Sequence, residues 1–120
     1  MKPHLLALGV LFLAASGCKV DVPPIKSGFV SKTWVTPDSP RTELSWSQLK
    51  QLADWFAAHE EGWTHKITDT PPGTIIVLQH NGGKVTWVNL TATEIWIGNR
   101  FRVLTAEERA EIQAILNQNN

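Results

Sequence analysis

Tyrosine is absent from this chain of 120 residues, and cysteine and methionine occur once each, whereas tryptophan occurs six times. A lone cysteine excludes a disulfide framework and any zinc site built on cysteine pairs. Basic and acidic residues number 11 each. Without a positive surplus the chain is not expected to bind nucleic acid, where cations must displace counterions from phosphates. The longest apolar run, Leu5 to Ala15, is too short to span a bilayer comfortably. With 42% hydrophobic and 18% charged residues, the composition is that of a globular protein with room for one modest domain.

Catalytic and cofactor signatures are equally scarce. Beyond the first residues the imidazoles are His59, His65 and His80, spaced six and fifteen apart with no His-x-x-x-His pair. There is no Gly-x-Ser-x-Gly elbow, phosphate loop or dinucleotide fingerprint. Glu60 and Glu61 beside His59 are adjacent, so their carboxylates point different ways and face water. The expectation is a protein with no catalytic residues, no metal and no cofactor.

What is present begins at the N-terminus. A basic start at Lys2, the apolar stretch Leu5–Ala15 and the small residues Ser16 and Gly17 are the parts of a secretory signal. Ala15-Ser16-Gly17-Cys18 resembles the lipobox of bacterial lipoproteins, with Ala15 where leucine is commoner. The resemblance covers about the first 19 residues and implies cleavage after residue 17, acylation of Cys18 and attachment to a membrane through lipid. Two acyl chains supply the two hydrophobic signals that stable anchoring requires. Lys19 follows the cysteine where an inner-membrane retention signal would place aspartate, so the implied address is the periplasmic face of the outer membrane. The processed chain would carry ten basic and eleven acidic residues.

Residues 18–41 contain Pro23, Pro24, Pro37 and Pro40 among polar residues and read as a tether carrying the lipidated cysteine. Within it, the run from Phe29 to Val35 alone offers a strand, and Thr33-Trp34-Val35 could dock on the domain edge. Residues 42–120 read as a single α+β domain: a helix, an antiparallel meander of four or five strands, and a C-terminal helix. The first helix starts at Ser45, with Gln48 completing a capping box, and ends before Gly62. Its periodicity places Trp46, Leu49, Leu52, Ala53 and Phe56 on the core side, with Trp55 and His59 touching each other on the flank. Strands follow over 63–68, 74–80, 84–90, 93–97 and 100–104, with tight turns at Asn81-Gly82-Gly83 and Gly98-Asn99. Thr105 and Glu108 cap the last helix, whose apolar side is Ala106, Ile112, Ile115 and Leu116.

A two-residue turn at Gly98-Asn99 pairs Ile97 with Arg100, Trp96 with Phe101 and Ile95 with Arg102. A two-residue turn at Thr91-Ala92 would pair Trp87 with Trp96 and Val88 with Ile95. One face then carries Trp87, Trp96, Phe101 and Val103, and the ring area there is expected to lie under the helices. The other face carries Val88, Ile95, Ile97, Arg100 and Arg102. Arginine beside apolar groups is the composition of an interface, so Ile95, Ile97, Arg100 and Arg102 are candidate partner-binding residues, with Trp55 on the helix flank as a further one. In general layout such a chain is similar to lipoproteins that act as immunity or inhibitor proteins against secreted enzymes. The second reading is an envelope-assembly or cell-wall-binding accessory lipoprotein that holds glycan on tryptophan.

Overall fold

A computed structural model describes residues 19–32, 35–36, 38–68 and 71–118. The signal segment, Cys18 and Trp34 lie outside the described residues. In chain order the elements are β1 (Ser27–Ser31), β2 (Thr42–Glu43), α1 (Trp46–Ala58), β3 (Thr64–His65), β4 (Thr74–Gln79), β5 (Val85–Leu90), β6 (Glu94–Ile97), β7 (Arg100–Val103) and α2 (Ala106–Leu116). The class is α+β. One antiparallel sheet has the order β2-β1-β4-β5-β6-β7-β3, so the expected four or five strands are β4 to β7 with β3, from the stretch 63–68, placed beside β7, and β1 and β2 are added at the other edge.

Both helices begin as the sequence requires. Ser45 and Thr105 accept a hydrogen bond from the backbone N–H of the third helical residue, and the Gln48 and Glu108 side chains accept from the cap residue's own N–H. The buried side of α1 is Gln48, Leu49, Leu52, Trp55 and Phe56. That stripe is rotated from the expected one, leaving Trp46 69% exposed at the first helical position. The reason is Gln48, whose amide donates to the Ile115 carbonyl at 2.9 Å and so joins the start of α1 to the end of α2. The same amide lies 3.4 Å from the Leu116 carbonyl and 3.3 Å from the Gln118 carbonyl, so a buried polar residue instead of a ring ties down the carbonyls at the end of α2.

The register shows which sheet face the helices cover. Val30 pairs with Ile76, Ile76 with Val88, Val88 with Ile97, and Leu90 with Ile95. These aliphatic side chains share one face, and Ile76, Leu78, Val88, Leu90 and Ile95 form one cluster with Leu49, Leu52, Phe56, Ile112 and Ile115 of the helices. The expectation is therefore reversed: the helices lie on the isoleucine face, and the row of Trp87, Trp96, Phe101 and Val103 is on the opposite side. Ring area is outweighed by continuity, because the aliphatic face runs unbroken across β4, β5 and β6 and matches the aliphatic stripes of both helices.

The segment read as a tether also belongs to the body. Val20 and Ile25 are in the core, the Val20 N–H donates to the Glu60 carbonyl at 2.8 Å, and the Lys26 N–H donates to the Gln79 carbonyl at 2.7 Å. Buried His80 holds the same segment. Its Nδ1 faces the Pro24 carbonyl at 2.8 Å, so that nitrogen carries the proton, and its Nε2 lies 2.7 Å from the Thr86 hydroxyl.

Candidate functional sites on the two sheet faces

The expected partner-binding residues sit beneath or beside the helices. Ile95 is only 1% exposed, and Ile97 packs against the same core. Arg102 donates from Nη1 to the Glu61 carbonyl at 2.6 Å and from Nη2 to Glu108 at 2.8 Å. Arg100 is exposed and reaches the Lys19 carbonyl at 3.4 Å. Trp55 is buried, donates to Glu111 at 3.2 Å and stacks on His59 with ring centroids 4.0 Å apart. The Trp55–His59 contact is as the four-residue spacing implies, but Ile95, Ile97, Arg102 and Trp55 are not an open surface. The arginines stand at the sheet margin, where long stems pass the apolar core and their heads find carbonyls and carboxylates.

Arg102, Glu108 and His59 form a connected group, with His59 Nε2 3.3 Å from the Glu108 carboxylate. Burial pushes the Glu108 carboxyl up, but the Thr105 N–H, the Arg102 guanidinium and His59 together hold it below its ordinary value. Gly62, at φ +87°, turns the chain here, and a β-carbon on it would meet Arg102 Nη1 at 2.6 Å. The cleft above, about 290 Å³, is lined by Ala57, Ala58, His59, Glu60, Glu61 and Arg102 and offers no hydroxyl or thiol nucleophile. The group is a strut joining α1, α2 and β7. Among the described residues no set of three His, Cys, Asp or Glu side chains is placed to hold a metal ion, and no helix is long and apolar enough to cross a membrane.

The opposite face is the one without a covering helix among the described residues. Phe29 is packed under the Arg41 guanidinium, 4.1 Å from the ring centre, and Trp96 stacks on Phe101 at 4.8 Å while donating to Glu94. Around these lie Trp87, 50% exposed, Val103, 64% exposed, and Val85. At one end of this face opens a groove of about 870 Å³, lined by Trp87, Trp96, Ile75, Asn89, the Pro71-Pro72-Gly73 turn, Thr91, Lys32 and Arg109. Gly73 lets the turn approach: a β-carbon there would lie 2.4 Å from the Leu90 carbonyl oxygen and 2.5 Å from Asn89 Oδ1. Two of the groove's polar side chains are engaged in its walls, the Asn89 amide N–H donating to the Pro71 carbonyl and the Thr91 hydroxyl bridging the N–H and carbonyl of Glu94.

No family model, curated protein or solved structure matches this chain. The functional reading therefore rests on the chemistry of the two faces. Sequence reasoning grouped Trp87, Trp96, Phe101 and Val103 on one face, as the register does, but assigned that face to the core. It passed over Lys32, Ile75 and Arg109, which no motif connects to the tryptophans.

Proposed function

We propose that the chain is a lipid-anchored protein-binding module on the periplasmic face of the outer membrane, acting as an immunity or inhibitor protein against a secreted enzyme. The observation that carries the binding reading is the aromatic face, which has no covering helix among the described residues and on which Trp87, Val103 and Val85 stay about half exposed although the opposite face packs both helices. Exposed aromatic and aliphatic area gathered on one face marks an interaction surface, and tryptophan is the residue most enriched at interface hot spots. The anchor rests on the lipobox resemblance at Cys18.

A photo-crosslinking residue placed at Val85 or Val103 in cells should trap a discrete partner, and one at exposed Lys50 of α1 should not. If the trapped partner is a secreted enzyme, its activity should fall on titration with this chain. Equal crosslinking from Lys50, or none from Val85 and Val103, would reject the face.

A further inference from the structure

The groove at the end of the aromatic face suggests the chemistry of what it receives. Its volume of about 870 Å³ accommodates a few side chains, and its floor and walls are Trp87, Trp96, Ile75 and the Pro71-Pro72 turn. Two cations, Lys32 and Arg109, are among its described lining residues, and no carboxylate is. One donor of Arg109 is spent on the Thr91 carbonyl, which fixes the guanidinium and leaves its other N–H groups for an anion.

A sugar would need in-plane partners for its hydroxyls. Asn89 Nδ2 is held by the Pro71 carbonyl, Asn89 Oδ1 is buried against Gly73, and the Thr91 hydroxyl is committed to Glu94. Among the described lining side chains that leaves an apolar floor, the single Thr74 hydroxyl and two cations, of which Arg109 is fixed. We propose that the groove receives an acidic peptide segment, with an apolar side chain laid on Trp87 and a neighbouring carboxylate on Lys32 and Arg109. This deepens the protein-binding reading and rests on it.

The test uses the full chain in detergent and three blocked peptides sharing a Leu-Phe centre flanked by glutamate, glutamine or lysine, with a chitin oligosaccharide as the glycan probe. Binding is read by calorimetry. The glutamate peptide should bind roughly five- to tenfold more tightly than the glutamine peptide, the effect of one charge-assisted contact at a half-open site, and the lysine peptide more weakly still. Lys32→Glu should erase that order, and Trp87→Ala should weaken all three peptides.

Equal binding of the three peptides, saturable binding of the oligosaccharide alone, or an order unchanged in Lys32→Glu would overturn the proposal. Its failure is separable from failure of the wider reading. Val103 lies on the same face but outside the groove lining. A partner trapped from position 103 while no peptide binds removes the groove assignment and leaves the interface.

Discussion

Trp87 and Trp96 lie on the same face of the sheet, yet their surroundings call for different energetic roles. Trp96 is buried against Phe101 and its indole N–H is satisfied by Glu94, whereas half of Trp87 meets solvent. Trp96→Ala should therefore cost about 3–5 kcal/mol, as large truncations of packed aromatics do, and Trp87→Ala about 1 kcal/mol. Ile95→Ala, from the face once expected to be open, should cost about 2–5 kcal/mol. Urea titration orders the three; a Trp87 variant as damaged as the Trp96 variant would mean that the aromatic face is covered. Glu108 gives a second residue-level expectation. Its pKa is lowered from 4.5 by folding, so its contribution is fully present above that value and is lost as pH falls through the lowered folded value. Glu108→Gln should cost about 1–3 kcal/mol at pH 6, since it leaves Arg102 with one fewer acceptor. The gap to the parent should close toward pH 3, and a gap constant across that range would show that the carboxylate charge contributes nothing.

Whole elements were more legible than their faces. Both helices announce themselves through Ser45-x-x-Gln48 and Thr105-x-x-Glu108, and the β6–β7 hairpin has the expected pairing because Gly98, at φ +61°, suits a two-residue turn. The β5–β6 register is shifted by two residues from expectation: Trp96 faces Asn89, not Trp87. The Thr91 hydroxyl organises a longer turn, accepting from the Glu94 N–H, and turns of this kind carry no strong composition signal. A two-residue slip preserves which side chains share a face, so the grouping survives while the choice of inner face does not. That choice was hidden because Ile75, Ile76, Val77 and Leu78 are apolar on both sides of β4. Gln48 was legible as a cap but not as a bridge between helices. Replacing it with alanine should cost about 1–3 kcal/mol by removing the buried amide that reaches the Ile115, Leu116 and Gln118 carbonyls at the end of α2, whereas Trp46→Ala at the exposed helix start should stay within about 0.5 kcal/mol. Thermal unfolding of both variants checks the rotated stripe, and the reverse order would restore Trp46 to the core.

At the scale of the whole molecule, the N-terminal segment decides how the body would sit relative to a membrane. Lys19 contacts Glu60 at 3.6 Å and Val20 is already in the core. An acyl group on Cys18 would therefore hold the body close to the bilayer surface, not at the end of a 24-residue tether. Proline at 23 and 24 does not make the segment a spacer here, because His80 captures the Pro24 carbonyl and Ile25 packs inward between it and β1. Two variants separate anchoring from folding. Cys18→Ser removes the thiol that lipid attachment needs, so it should release the protein from the membrane fraction while leaving the melting temperature of the purified chain unchanged. Ile25→Ala should do the opposite, keeping membrane attachment and lowering stability by about 2–4 kcal/mol, a cost expected of a core position and not of a tether. If Ile25→Ala melts with the parent, the segment is a spacer after all. If Cys18→Ser still fractionates with the outer membrane at the processed mass, the lipid anchor is wrong and the aromatic face must find its partner without the membrane's help.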